Sequence, residues 1–156
     1  MNKLIIGWFT FTCCEDSTIL MTEILNNHYK DWLPRLDFKY AKVFRKSPKL
    51  GPMDVAFVEG AISAKDQEEK LKQIRKLAKT VVAIGSCAVT GQPSAQRNQF
   101  NDKQQAEIKF ILERFKYADQ VKIPADIVKV DHQISGCPMN EQLFIDYINQ
   151  LIEKNK

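Results

Sequence analysis

Cysteine-bearing turns constrain the fold of this chain more than any other feature of its sequence. Three turns follow apolar, β-prone runs, and together they hold all of the cysteines in the chain: Cys13, Cys14, Cys87 and Cys137. In each case glycine, proline or helix-start residues lie beside the cysteine. A fold that explains this sequence therefore has to explain why every thiol lies just after a buried strand.

Apolar, β-prone runs predict the fold class. We expect strands at residues 4–11, 36–44, 54–58, 80–84 and 127–130. Apolar residues at helical spacing predict helices between and after these strands. The first helix ends near Pro34, and the others cover residues 63–79, about 108–115 and 140–153. Strands that alternate with helices are typical of βαβ units, so the predicted fold is α/β, a three-layer αβα sandwich with a parallel sheet. At this length we expect residues 1–156 to form a single domain.

The predicted topology brings the cysteines together. In open α/β sheets, ligands bind outside the carboxyl ends of the strands. All of the cysteine turns follow strand ends, so they are expected to share that edge of the sheet. The polar loop 89–101 follows Cys87 and is long enough to be functional, and within it Arg97 and Asn98 could contact a partner.

Composition excludes several classes of protein. Net charge is +4 with acids and bases interspersed, and the basic cluster at residues 39–49 has no nucleic-acid-binding motif around it, so we expect no nucleic-acid partner. No apolar stretch approaches the roughly 20 residues of a transmembrane helix, and no signal peptide is recognisable. We therefore expect a cytoplasmic protein, which reaches a membrane only through partner subunits. Disulfides are rare in the cytosol, so the cysteines are better explained as metal ligands or catalytic thiols.

Three alternatives remain for the thiols. Zinc sites usually take paired cysteines two to four residues apart, whereas Cys13 and Cys14 are adjacent. A four-iron cluster avoids this constraint because neighbouring thiolates can bind different irons. Small residues beside the cysteines, such as Gly85 and Gly136, would let the backbone approach a bulky cofactor. The pattern favours an iron–sulfur cluster, and zinc and catalytic or merely buried thiols stay open.

Four motifs occur in an order that resembles a known family. They are Cys13-Cys14-Glu15, Glu59-Gly60-Ala61-Ile62, Gly85-Ser86-Cys87-Ala88-Val89-Thr90-Gly91 and Gly136-Cys137-Pro138. The ordered set is similar to the proximal-cluster domain of [NiFe]-hydrogenase small subunits and to the 20 kDa subunit of respiratory complex I. It spans almost the whole chain.

This resemblance implies a flavodoxin-like fold and one [4Fe-4S] cluster held by Cys13, Cys14, Cys87 and Cys137. It implies a large catalytic subunit as partner, which in hydrogenases carries the nickel–iron site. It also implies that electrons continue to a further subunit or a soluble carrier, and that this chain is not catalytic alone. Because the family reaction also moves protons, Glu15 and Glu59 are candidates for a proton route.

The sequence combines features of the two branches of the family. Adjacent Cys13 and Cys14 are similar to complex I, whereas hydrogenases usually separate these cysteines by two residues. Glu59-Gly60-Ala61-Ile62 is similar to hydrogenases, while Gln92 and Met139 stand where the family often has a second glycine and a second proline. A hydrogenase-like subunit is our first hypothesis and a quinone-reductase subunit of the complex I type our second. A zinc- or flavin-binding module of the same fold is the alternative from another class.

Overall fold

The computed structural model of the chain describes residues 3–44 and 49–155, so residues 45–48 of the basic cluster lie outside the described residues. Its longer helices and its strands, in chain order, are β1 (Leu4–Thr10), α1 (Asp16–Trp32), β2 (Leu36–Ala41), β3 (Met53–Glu59), β4 (Ile62–Ala64), α2 (Lys65–Leu77), β5 (Ala78–Ile84), α3 (Gly85–Val89), α4 (Asp102–Phe115), β6 (Tyr117–Lys122), β7 (His132–Ile134) and α5 (Glu141–Lys154). Five of the strands form one parallel sheet in the order β2-β1-β3-β5-β7.

Helices cover both faces of this sheet. One apolar core joins α1 and α5 to the sheet and contains an aromatic group in which Phe144 packs edge-on against Trp8 and Phe57. A second core joins α2 to the opposite face through Leu71 and Ile74. The central strands are buried on both sides, as continuous apolar runs in parallel sheets require. The predicted α/β fold, a three-layer sandwich with a parallel sheet, is therefore confirmed.

One predicted strand is wrong. Residues 127–130 were expected to form the last strand, but the strand is β7, which begins only at His132. The amides of Ile127 and Val128 instead bond to the carbonyl of Pro124 and close a turn. The apolar side chains of 127, 128 and 130 pack against the core on the α2 side without pairing in the sheet. Pairing starts after Asp131, whose amide bonds to the Val81 carbonyl.

A small antiparallel pair, β4 with β6, was not predicted. Strand β6 is mostly polar and exposed, so it lacks the alternation that reveals a strand. Side chains of the 89–101 loop hold it in place. Asn98 exchanges hydrogen bonds with the backbone of Val121, and the Arg97 guanidinium donates to the carbonyls of Ala118 and Ser63. Arg97 and Asn98, which the sequence suggested as possible partner contacts, thus bind the chain's own backbone.

Helix α4 lies at the surface beside this pair. None of its residues is buried, and Phe110 and Phe115 remain 66% and 60% exposed. The helix begins at a well-formed cap, because the Asn101 side chain accepts the amide of Gln104 and the Gln104 side chain accepts the amide of Asn101. Within residues 3–44 and 49–155, no helix combines the length and the apolarity needed to cross a bilayer.

Gly60 allows the end of β3 to lie against the first cysteine turn. Its φ is +95°, and a Cβ atom there would come within 2.9–3.0 Å of backbone atoms of Phe11 and Thr12. We predict that Gly60→Ala lowers the free energy of unfolding by about 1–3 kcal/mol, since the strain falls on the backbone. Chemical denaturation measures this change.

Gly51→Ala is the matched control for this substitution. The nearest atom to its added Cβ is the hydroxyl oxygen of Tyr40, the far end of a side chain, and its φ is not positive. We expect a smaller loss of stability in this variant. Equal stability of Gly60→Ala and the unmodified chain would contradict the close approach described here.

Candidate metal centre

The four cysteines line one depression at the carboxyl edge of the parallel sheet. Cys13 and Cys14 lie between β1 and α1, Cys87 lies in α3 directly after β5, and Cys137 lies between β7 and α5. The structure therefore brings together the side chains that the sequence pattern predicted to meet. Cys87 is buried, Cys13 is half-buried, and Cys14 and Cys137 are exposed, so the depression has a protein side and a solvent side.

The first turn is fixed by the end of β3. The amide of Phe11 donates to the carbonyl of Glu59, and Thr12 and Ala61 exchange a pair of backbone hydrogen bonds of 2.9 and 3.0 Å. Beyond the cysteines, Glu15 adopts the left-handed conformation, with φ +66°, and α1 begins at the next residue. These contacts hold the Cys13-Cys14 pair next to the carboxylate that ends β3.

The second and third turns are bonded to each other and to the first. The amide of Ser86 donates to the carbonyl of Gly136 at 2.7 Å, and the amide of Met139 donates to Ser17 Oγ at 3.2 Å. Gly85, with φ +79°, has no side chain, and a Cβ atom there would lie 2.9 Å from Ser17 Oγ. Ser17 thus joins the start of α1 to the Cys137 turn.

Glu59 is a buried carboxylate at the centre of these turns, and only 4% of its surface is exposed. Its Oε1 accepts the amide of Ser17 at 3.0 Å and its Oε2 accepts the hydroxyl of Thr18 at 2.5 Å. Thr18 Oγ1 in turn accepts the indole N–H of Trp8 at 2.8 Å. Burial raises the pKa of the Glu59 carboxyl, although the hydrogen bonds from Thr18 and Ser17 act in the opposite direction.

The protein environment disfavours the thiolate form of two cysteines. Burial, followed by the negative charge of Glu59, raises the pKa of the Cys13 thiol to about 12. The Asp16 amide stabilises the Cys14 thiolate, but burial and the Asp16 carboxyl outweigh it and raise the pKa of Cys14. A cation bound between the cysteines would reverse this balance, because it favours deprotonated sulfur.

Glu15, the other acid suggested for a proton route, lies in a different environment. It is exposed, and its side chain makes no cap hydrogen bond to the described residues of α1. Its contribution to the depression is its backbone N–H, which bonds to Cys13 and favours the thiolate. Of the two carboxylates, only Glu59 lines the depression.

Ser94 is a residue at this site that the sequence did not reveal. Its hydroxyl oxygen lies 3.1 Å from Cys87 Sγ and 3.0 Å from the carbonyl oxygen of Thr12. It lies in the polar loop, seven residues after Cys87, where one serine among several polar residues carries no distinguishing pattern. Only the folded loop places it at the sulfur.

The donor arrangement limits which groups can bind. In the part of the chain that the structure describes, no three histidine, cysteine, aspartate or glutamate side chains converge where a single metal ion could be held. The cysteines instead surround the depression from three separate turns.

A neighbouring cavity of about 580 Å³ opens beside the ends of β1 and β2. Trp8 and Tyr40 line it together with two lysines, Lys42 and Lys70. Burial, and next the charge of Lys42, lowers the pKa of the Lys70 ammonium. This cavity contains none of the cysteines.

Comparison with known proteins identifies relatives. An uncharacterized protein of Methanocaldococcus jannaschii is 36% identical over 110 residues, which are 69% of this chain and 45% of that protein. One of the subunits of the vhu F420-non-reducing hydrogenase of the same organism is 26% identical over 163 residues, 94% of this chain and 55% of the relative. The gamma chain of the coenzyme F420 hydrogenase of Methanosarcina barkeri is 29% identical over 153 residues, 91% of this chain and 51% of the relative. The chain thus spans about half the length of the curated relatives it matches.

Solved structures share the fold. A chain in the crystal structure of an NAD⁺-reducing [NiFe]-hydrogenase in its H₂-reduced state superposes with a TM-score of 0.84 at 20% identity. The match covers 98% of this chain and 93% of that one. A chain of the [NiFeSe]-hydrogenase of Desulfovibrio vulgaris Hildenborough gives a TM-score of 0.64 at 12% identity, over 99% of this chain and 62% of that one. At these identities the likeness concerns the fold.

The family itself follows from a sequence match. The model of a protein family described as the 20 kDa subunit of NADH ubiquinone oxidoreductase matches residues 13–151, from the first cysteine into α5. The relatives named above include subunits of two hydrogenases. The chain therefore belongs to the family of the 20 kDa subunit of NADH ubiquinone oxidoreductase and of related hydrogenase subunits.

Proposed function

We propose that this chain is the electron-transfer small subunit of a [NiFe]-hydrogenase-like oxidoreductase. In this proposal residues 1–156 act as one iron–sulfur domain, and one [4Fe-4S] cluster is held by Cys13, Cys14, Cys87 and Cys137. The observation that carries the proposal is the meeting of these four side chains at one depression on the carboxyl edge of the sheet. When bound, such a cluster supplies one-electron transfer.

The donor set suits this cofactor. Four cysteines and no histidine line the depression, and cysteine thiolate is the usual ligand of such clusters. Because the pKa values of Cys13 and Cys14 are raised, these thiols must lose their protons when they bind a metal. Iron cations would favour that loss. Because Cys13 and Cys14 are adjacent, their sulfur atoms can bind different metal atoms of a cluster more easily than they can both bind one ion.

The chain's own residues have separate tasks in this proposal. Cys87 and the backbone around Gly85 form the inner wall and exclude water there. Cys14 and Cys137 lie on the exposed side, where a large subunit would cover them. Glu59 is the better candidate for holding a proton near the site, because its carboxylate is buried and its pKa is raised, whereas Glu15 is exposed.

The expected partner is a large subunit that carries a nickel–iron centre, with electrons passing on to a further subunit or a soluble carrier. Support comes from relatives named as hydrogenase subunits. In this arrangement the chain does not turn over substrate alone. We propose a cytoplasmic complex, in which any membrane contact is made by partner subunits.

A quinone-reductase subunit of the complex I type is the second candidate. The description of the matching family favours it, as does the adjacency of Cys13 and Cys14. Nickel in the complex isolated with this chain would favour the hydrogenase, and a nickel-free complex that reduces quinone would favour the second candidate.

A zinc- or flavin-binding module is the alternative from another class. The cavity with Lys42 and Lys70 is the observation in favour of a flavin, because it offers aromatic walls and positive charge. The colour of the purified protein separates these possibilities: an iron–sulfur protein is brown, a flavoprotein is yellow and a zinc protein is colourless.

Reconstitution of the chain with iron and sulfide under anaerobic conditions tests the ligand set. We predict about four irons and four sulfides per chain, which is the content of the one [4Fe-4S] cluster proposed. Cys87→Ala should lose most of this iron, since Cys87 forms the buried wall. Thr22→Ala is the control, because its hydroxyl bonds to the Ile19 carbonyl on the exposed side of α1, and it should load fully.

Two results would count against the proposal. A load near two irons or one zinc in the unmodified chain would reject the four-iron cluster. Full iron content in Cys87→Ala would remove this residue from the ligand set. Iron, zinc and acid-labile sulfide are all measured on the same samples.

Burial and the negative charge of Glu59 should slow the alkylation of Cys13 in the metal-free, reduced protein. At pH 8 a pKa of about 12 leaves about a thousandfold less thiolate than the ordinary value of 9.0 does, so alkylation of Cys13 should be slow and should accelerate as pH rises. Glu59→Gln removes the negative charge, so Cys13 should react faster in this variant. Mass spectrometry of iodoacetamide-treated peptides measures the rate.

Internal and external controls make this test specific. Cys14 is the internal reference, because the charges that act on it are those of Asp16 and Cys137. Glu15→Gln is the matched variant, because Glu15 acts on Cys13 through its backbone N–H, which the substitution keeps. An unchanged Cys13 rate in Glu59→Gln would show that the carboxylate does not act on the thiol.

A further inference from the structure

Ser94 connects two of the cysteine turns through one hydroxyl group. Its Oγ lies 3.1 Å from Cys87 Sγ, in the second turn, and 3.0 Å from the carbonyl oxygen of Thr12, immediately before the first cysteine pair. A hydroxyl has one proton to donate and can accept as well. Which of its two neighbours receives that proton depends on the state of the sulfur.

We propose that Ser94 is a positioning residue that donates its hydrogen bond to the Cys87 sulfur once this sulfur is a metal ligand. The bond stabilises the reduced state of the centre more than the oxidised state and so raises its reduction potential. This inference rests on the proposed function, and it assigns to Ser94 a task that neither the family motifs nor the ligand set contains.

The direction of the hydrogen bond follows from what each group can offer. In the metal-free protein Cys87 is able to donate its S–H to Ser94, which leaves the Ser94 proton for the Thr12 carbonyl. A deprotonated, metal-bound sulfur can only accept, and Ser94 is the side-chain donor that the structure places against it. The Thr12 carbonyl already accepts the amide of Ala61 at 2.9 Å, so it stays satisfied when the hydroxyl rotates away.

The loop around Ser94 is built to hold this geometry. The amide of Ala95 donates to the Gly91 carbonyl at 2.7 Å, and the amide of Gln96 donates to the Pro93 carbonyl at 3.1 Å, so the serine lies within a closed turn. Ala95 is buried in a small apolar cluster with Ala61 and Val121. The backbone that carries the hydroxyl is therefore tied to the scaffold.

The electrostatic consequence concerns the potential. Reduction adds negative charge to a thiolate-ligated centre, and hydrogen bonds to charged acceptors are stronger than those to neutral ones. Hydrogen bonds to cysteine sulfurs are among the factors that set the potentials of iron–sulfur centres. A donor at Cys87 should therefore make reduction easier without changing the number of ligands.

Redox titration followed by electron paramagnetic resonance tests the inference. The samples are the protein purified anaerobically with any subunits that accompany it, as unmodified chain and as Ser94→Ala. At a fixed potential we expect the ratio of reduced to oxidised centre to fall by up to about tenfold in Ser94→Ala, and a tenfold fall corresponds to about 59 mV for a one-electron couple. Iron content should be unchanged.

Two matched variants test whether the hydroxyl itself is responsible. Ser94→Thr keeps the hydroxyl and should keep the potential of the unmodified protein. Thr90→Ala removes a hydroxyl from the same segment that donates to the Ser86 carbonyl, not to sulfur, and should also leave the potential unchanged. If Ser94→Ala fails to retain iron, Ser94→Thr and Ser94→Val are compared instead, because their side chains have the same shape. The reduction potential should then be lower in Ser94→Val than in Ser94→Thr.

The outcomes separate this inference from the proposed function. If the unmodified protein carries no iron–sulfur centre, the proposed function fails. If it carries the centre but Ser94→Ala, or Ser94→Val against Ser94→Thr, has an unchanged potential, only the role of Ser94 is overturned.

Discussion

A buried hydrogen-bond network around the Glu59 carboxylate is the interaction on which the rest of the site depends. A carboxylate with 4% of its surface exposed is costly unless it is bonded, and here the first turn of α1 supplies both donors, the Ser17 amide and the Thr18 hydroxyl. Through these bonds the end of β3 fixes where α1 begins. Because Cys13 and Cys14 come just before that point, the same bonds fix the position of the cysteine pair.

The network extends to the other two turns through short contacts. The hydroxyl oxygen of Ser17 accepts a hydrogen bond from the amide of Met139. Because Gly85 has no side chain, α3 can begin beside Ser17. The hydrogen bond from the Ser86 amide to the Gly136 carbonyl connects the Cys87 turn to the Cys137 turn. The site is thus built largely from backbone groups of three turns around one carboxylate, and the cysteine side chains line the depression between these turns. Cys87 lies on the buried side of the depression, and Cys14 and Cys137 lie on its exposed side.

Much of this could be predicted from the sequence, for identifiable reasons. Buried parallel strands appear as continuous apolar runs, so the βαβ order and the gathering of Cys13, Cys87 and Cys137 at one edge followed from pattern alone. The β4–β6 pair was missed because β4 has only three residues and β6 is mostly polar and exposed. The strand placed at 127–130 was wrong because apolar residues also pack over a sheet without pairing in it. Ser17 and Ser94 act through tertiary contacts, which a single sequence does not encode in any local pattern.

Anomalous scattering at the iron absorption edge, measured on crystals of the anaerobically prepared protein, tests the central claim most directly. We expect one iron-rich peak in the depression, with continuous density to the sulfur atoms of Cys13, Cys14, Cys87 and Cys137. Iron bonded to only some of these sulfurs, or a disulfide between any two of them in protein that remains folded and brown, would contradict it.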